Sequence, residues 1–255
     1  MIYINSNIIQ NLNNNFFVVM DFDRTITSIF SENSWEAILK SKYAKKEHLE
    51  IHKDLYNKYV SYETDTSMDL EYRRKKLDNW YSLILKLFYS YNYNSNVFKK
   101  SVENSKLEFR DGAISFFNNL NKKNIPVIIV SAGIENIIKE FFLLNNIDLS
   151  NISIISNKID FSIKSSTSYV HALNKNLQVW DEIIINKIKE KKYAVLIGDL
   201  ISDINMLPDM INKTKIKIGF LDNNIKENIK LYNKIFDIVL TDNTSFDEVG
   251  KILKL

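Results

Sequence analysis

Cysteine is absent from the 255 residues. That excludes disulfides, thiolate metal ligands and a cysteine nucleophile together, so any bound metal must take oxygen or imidazole ligands. Proline (2) and glycine (5) are scarce, and no stretch rich in Pro, Gly or Ser separates the chain into linked parts. Long hydrophobic runs are also lacking: Phe16-Phe17-Val18-Val19-Met20 is far too short to span a bilayer, so no membrane partner is expected. Residues 1–15 have no basic start followed by a long apolar stretch, so a signal peptide is not expected and a cytoplasmic location is. Nor is one sign of charge in excess, with 34 basic against 31 acidic residues. The basic runs 42–53 and 73–76 are interleaved with or flanked by Glu47, Glu50, Glu71 and Asp78 and read as solvated helix surface. Without a concentrated basic stripe carrying aromatics, nucleic-acid binding is not expected.

What is present is an ordinary globular composition, 45% hydrophobic and 25% charged, on a length that suits one main domain with a smaller insertion. Short apolar runs rich in β-branched residues recur at 16–20, 127–130, 152–155, 194–197, 216–218 and 238–240. Such runs suit strands buried on both faces of a parallel sheet. Between most of them lie stretches of helical period, including 113–120 and 134–144. The alternation predicts an α/β fold, a Rossmann-like, doubly wound and mainly parallel sheet. Residues 31–106 break the pattern, with several helix-like stretches, 70–89 among them, and no strand. They read as an all-helical insertion overhanging the carboxyl edge of the sheet, where open α/β domains bind ligands, the core being 1–30 plus 107–255. A β-hairpin is expected over 158–169.

Three strand ends carry chemistry. Asp21 and Asp23 follow the run 16–20; in extended chain they point the same way and can bind a hard cation, divide acid and base roles, or pair a nucleophile with a proton donor. A polar turn after a strand would use the same residues. Ser131-Ala132-Gly133 follows another buried run, where Ser131 can cap a helix and face an anion with free backbone N–H groups. Gly198-Asp199-Leu200-Ile201-Ser202-Asp203 follows a third. In a parallel sheet these four carboxylates converge on one edge and repel unless a cation neutralises them, for which Mg²⁺ is the natural choice.

With Lys175 added, these motifs in order, Asp21-Phe22-Asp23-Arg24-Thr25, Ser131, Lys175 and Gly198-Asp199 with Asp203, resemble the haloacid dehalogenase superfamily of phosphohydrolases, in which a helical cap follows the first motif. Phe109-Arg110-Asp111-Gly112, Ser131-Ala132-Gly133-Ile134, Asn174-Lys175-Asn176, Ile218-Gly219-Phe220-Leu221 and Phe236-Asp237-Ile238-Val239-Leu240 look more narrowly like the cytosolic pyrimidine 5'-nucleotidase family. The resemblance implies a Mg²⁺-dependent phosphomonoester hydrolase in which Asp21 forms an aspartyl-phosphate and Asp23 serves as acid and then base. It implies a cation on Asp21, the Asp23 carbonyl and Asp199, with Asp203 behind them orienting Lys175 or a metal-bound water. Thr25, Ser131, Ala132, Gly133 and Lys175 would contact phosphate. Asp21 is expected to be ionised without help, as its reference value is about 3.9.

Trp80-Tyr81 stands where the nucleotidases carry an aromatic pair around the base, while Asn79 stands where they carry an acidic residue. Leu200-Ile201-Ser202 also departs from their usual small-residue loop. The implied substrate is a small phosphate ester: a nucleoside 5'-monophosphate first, phosphoserine or a sugar phosphate next, with phosphotransfer or a mutase reaction as rivals. A non-hydrolytic receiver domain needs neither Asp23 nor a large cap. Oligomeric state is not legible. His48 and His52, four apart on a strongly charged helix, are expected at the surface rather than on zinc. Trp35, Tyr72 and Phe88 are expected to pack between helices.

Overall fold

The computed structural model describes residues 2–4, 12, 14–162, 169–178, 180–208, 211 and 213–255. In chain order, β1 (Ile2–Ile4) and β2 (Phe16–Met20) precede five helices, α1 (Ser34–Leu39), α2 (Lys46–Tyr59), α3 (Ser61–Thr64), α4 (Leu70–Ser90) and α5 (Ser95–Glu103). Then come α6 (Ala113–Lys122), β3 (Val127–Ile134), α7 (Glu135–Leu144), β4 (Ile152–Asn157), α8 (Glu182–Ile188), β5 (Tyr193–Gly198), β6 (Thr214–Leu221), α9 (Ile225–Ile235), β7 (Ile238–Thr241) and α10 (Phe246–Leu253).

The sheet order is β1-β7-β6-β5-β2-β3-β4. Its last six members are parallel, and β1 joins antiparallel with Ile2 opposite Leu240. This is the doubly wound α/β fold expected, with β1 added by pairing that no local periodicity announced. Alternation along β2 shows why its run is apolar throughout. Phe16, Val18 and Met20 join one core with Phe117, Ile137, Phe142 and Val249, while Phe17 and Val19 join another with Ile184 and Ile188. The chain winds from β2 to β3 and β4 on one side and returns to β5 on the other, so the switch of direction falls at β2. Ligand clefts form at such points. Asp21, the end of β3 and Asp199 therefore share one edge.

No strand interrupts the described residues between α1 and α5. The segment leaves and rejoins the core at one point. Thr27 bridges Phe109, the Ser28 N–H donates to the Glu108 carbonyl (3.0 Å), and the Arg110 N–H donates to the Ile26 carbonyl (2.9 Å). Among the described residues no helix is long and apolar enough to cross a membrane. The expected hairpin falls partly on residues 163–168, which lie outside the described ones.

Three expectations are corrected. Ser131 does not cap a helix: β3 runs on through it, α7 starts at Glu135, and Ile134 precedes that helix without a side-chain cap. His48 is not at the surface but fully buried, its Nδ1 3.0 Å from the Tyr93 hydroxyl and its ring edge-on to Phe88. The charge pattern misled there because the polar faces of α2 flank a stripe that packs on α4. Arg73, from a basic run read as solvated, is buried and donates to the Tyr62 and Glu63 carbonyls.

The buried histidines give a pH prediction. Burial, with His52 nearby, holds His48 down at about 4, and burial does the same to His52. Both values lie below the ordinary 6.5. Below pH 6.5 the unfolded chain therefore takes up protons that the native chain refuses. This contribution to stability is complete above 6.5 and is lost as pH falls toward 4. Replacing His48→Gln should shrink the loss of unfolding free energy between pH 7.5 and pH 5 by about 1 kcal/mol. Denaturant titrations at both pH values check it; an identical pH dependence in the variant contradicts a neutral buried imidazole.

Candidate active site

Asp21 directly follows β2, and the chain then makes an irregular turn over Phe22–Ile26 in which Arg24 is left-handed at φ 62°. The turn sends Asp23 away from the sheet toward the start of α1. There the Ser34 N–H donates to one Asp23 oxygen (2.8 Å) and its hydroxyl to the other (2.9 Å). α1 is held for this by a reciprocal cap, Asn33 accepting from the Glu36 N–H and Glu36 from the Asn33 N–H.

Asp21 meets Lys175, whose ammonium donates to Asp21 (2.8 Å) and to Asp203 (2.7 Å). The loop carrying Lys175 is tied to the end of β4: Asn157 donates to the Val170 carbonyl (2.8 Å) and accepts from the Val170 N–H (2.9 Å). Asp203 also accepts from the Leu200 N–H (2.9 Å). It presses so closely on Gly198 that any Cβ there would collide with the Asp203 side chain. Thr25, expected among phosphate contacts, is fully buried and donates its hydroxyl to Asp199 (3.1 Å). Tyr232 donates to the Asp199 carbonyl (2.6 Å).

Oxygens of Asp21, Asp199 and Asp203 lie within 4.8 Å of one another. Asp203 thus belongs to the carboxylate cluster while also holding Lys175. Ser131 is buried, its oxygen accepting from the Gly133 N–H (3.0 Å). A Cβ on Gly133 would strike the Ser34 hydroxyl, which puts this strand end beside Asp23's partner. Ala132 accepts from the Trp35 indole (3.1 Å).

Burial dominates the electrostatics. Asp21 is pushed up to about 7 by burial, against the pull of Lys175. Removal from water thus works against the ionised form of Asp21, while Lys175 works for it. Burial and the neighbouring Asp203 and Asp21 drive Asp199 well above the carboxylate range. Asp23 is raised to about 6 by burial, moderated by its two Ser34 bonds. Burial works against the charge on Lys175, but Asp203 and Asp21 more than restore it and raise its value. Three close carboxylates facing one ammonium form an all-oxygen set still rich in negative charge, which fits a hard divalent cation.

Beside this cluster, a cavity of about 440 Å³ is lined by Arg24, Trp35, His52, Glu63, Trp80 and Tyr81, among others. Lys175 acts on both Glu63 and Tyr81, so the cavity adjoins the cluster. Asn79 is not part of the lining; its amide donates to the Tyr59 hydroxyl (2.7 Å). Ser34, Tyr232 and Glu63 carried no signal in the sequence, because each meets the site through long-range packing alone.

The Pyrimidine 5'-nucleotidase (UMPH-1) family model matches residues 27–255. The 7-methylguanosine phosphate-specific 5'-nucleotidase B of Xenopus laevis is 28% identical over 250 residues, covering 93% of this chain and 86% of that protein. The 7-methylguanosine phosphate-specific 5'-nucleotidase of Homo sapiens is also 28% identical, covering 93% and 83%. Among solved structures, cytosolic 5'-nucleotidase IIIB bound to cytidine superposes with a TM-score of 0.85 at 23% identity, covering 99% of this chain and 92% of that one. A substrate-bound phosphoserine phosphatase shares the fold at a TM-score of 0.52 and 17% identity, covering 92% and 96%.

Proposed function

Because this chain belongs to the pyrimidine 5'-nucleotidase (UMPH-1) family, we propose that it hydrolyses nucleoside 5'-monophosphates, with Asp21 as nucleophile and residues 31–106 as a cap over the reacting group. Asp21 attacks phosphorus; as the new O–P bond forms, the bond to the ester oxygen breaks and Asp23 gives that oxygen its proton. Water then attacks the aspartyl-phosphate, Asp23 takes the water's proton, and inorganic phosphate leaves with Asp21 restored. A proton value of about 6 lets Asp23 work in both directions near neutrality. Lys175 and the backbone N–H groups at the end of β3 face the charge that builds on the phosphoryl oxygens. Asp21 and Asp199, with Asp203 beside them and the Asp23 carbonyl, would hold Mg²⁺. Such an ion would supply charge neutralisation that favours the ionised form of the buried Asp21.

The nucleotide reading rests on the cavity. Trp80 lines it with a buried indole N–H that has no hydrogen-bond partner among the described residues, and His52, Glu63 and Tyr81 line the same space. Buried polar groups are rarely left so unless a ligand completes them. Trp80 stacks on Tyr59 at 6.3 Å and stands edge-on to Tyr81, a rigid aromatic wall suited to a planar base. A carboxylate in that wall favours a base offering N–H donors or positive charge. The relatives named for 7-methylguanosine phosphate and the cytidine-bound structure accord with this reading.

A screen of nucleoside monophosphates, sugar phosphates and phospho-amino acids with Mg²⁺ tests it. Nucleotides should be preferred, and Trp80→Leu should raise their KM about tenfold or more while sparing p-nitrophenyl phosphate. Equal turnover of all classes retires the nucleotide reading and leaves the hydrolase.

A further inference from the structure

Arg110 has no part in the chemistry above, yet it is the largest fully buried side chain among the described residues. A buried charge is costly unless every donor finds a partner. The Arg110 guanidinium finds four. It donates to the Arg24 carbonyl (2.5 Å), the Thr25 carbonyl (3.0 Å), Asp222 (2.8 Å) and the Asn243 side-chain oxygen (3.2 Å). Its flat face lies 4.0 Å from the centre of the Phe220 ring. Its own backbone N–H binds the Ile26 carbonyl (2.9 Å), so three successive carbonyls of the turn are held by one residue.

Only a planar fork can reach two adjacent carbonyls and a carboxylate together. The two carbonyls belong to the residues just after Asp23. Arg24 is left-handed at φ 62°, a conformation costing a bulky residue roughly 1 kcal/mol unless its surroundings impose it. The path that turns the Asp23 carboxylate off the sheet and onto Ser34 runs through that residue.

We propose that Arg110 is a positioning residue for proton transfer at Asp23, fixing the turn that aims this carboxyl at the ester oxygen. The proposal rests on the reading of Asp23 as acid. Asp222 and Asn243, at the ends of β6 and β7, hold the guanidinium in place; Asp222 also accepts from the Asn243 N–H (2.7 Å).

Leaving-group dependence separates positioning from general loosening. An alkoxide must be protonated as it departs, whereas p-nitrophenolate leaves without a proton. Arg110→Lys keeps the charge against Asp222 but cannot span both carbonyls. Because Asp23 also serves the water step that both esters share, the split is read in the first turnover: Arg110→Lys should slow first-turnover release of nucleoside about 10²-fold on the nucleoside monophosphate turned over fastest, and first-turnover release of p-nitrophenolate less than about threefold. Asn243→Gly tolerates that residue's own positive φ of 53° and removes only its bond to Arg110. It should show the same split at smaller size, and it decides the matter if Arg110→Lys melts below the assay temperature. Equal losses of first-turnover rate on both esters, with Asp23→Asn showing the split, overturn the role of Arg110 alone. No split in Asp23→Asn overturns the assignment of Asp23 and the proposal with it.

Discussion

Asp21→Asn is expected to reduce kcat by at least ~10⁴-fold, because an amide oxygen is too weak a nucleophile to form the phosphoryl-enzyme bond. The fold should survive. Asp21 sits at the end of a strand whose five residues are all buried, so its carboxylate contributes nothing to the packing that holds β2. The wild-type group has a folded value of about 7 against an ordinary 3.8, so ionisation at Asp21 opposes folding increasingly as pH rises from 3.8 to 7. Asn relieves that opposition but leaves Lys175 with Asp203 as its one carboxylate partner. The two changes act in opposite directions, and a melting midpoint within about 4 °C of wild type is expected. Single-turnover quenching with labelled substrate should trap label on the wild-type protein and none on the variant. Near-normal turnover by Asp21→Asn would remove Asp21 as nucleophile.

Chelating divalent cations should stop hydrolysis, and restoring Mg²⁺ should return it. Oxygens of Asp21, Asp199 and Asp203 within 4.8 Å of one another leave the apo site with excess negative charge, and burial pushes Asp21 and Asp199 toward their neutral forms. A cation reverses this by favouring the ionised carboxylates. Binding to the folded state alone should also raise the melting midpoint, by the equivalent of roughly 2.7 kcal/mol at a hundredfold excess over Kd. Asp199→Asn should weaken that thermal shift while leaving the metal-free midpoint near or above wild type, since it removes a buried carboxylate braced by Thr25. Full activity in excess chelator, or an equal Mg²⁺ shift in Asp199→Asn, is the result that would sink the metal assignment.

Legibility differed by interaction range. The six parallel strands could be read because strands buried on both faces are continuous apolar runs, a local pattern. Asp21, Asp23, Asp199 and Asp203 were legible for the same reason: each lies at or just beyond such a run, and a parallel sheet brings those ends together. Ser131 was found at the right strand end with the wrong local role, since strand and helix propensities do not say where β3 stops. His48 was misplaced because charge on α2 says nothing about Tyr93 and Phe88, which enclose it from a later helix and its flanking turn.

The order of apolar runs and helical stretches by itself determined the doubly wound sheet, the run of helices after the first acidic pair and the edge on which the carboxylates gather. Only the tertiary structure decided that Asp203 joins the cluster while gripping Lys175, that Ser34 holds Asp23, and that Arg110 binds the turn between them. It alone also revealed the burial that works against ionisation at Asp21. The first group follows from periodicity, which acts between neighbours along the chain. The second depends on burial and on contacts between residues 11 apart, as for Asp23 and Ser34, 86 apart, as for Arg24 and Arg110, and 154 apart, as for Asp21 and Lys175, and these exist only once the chain has packed.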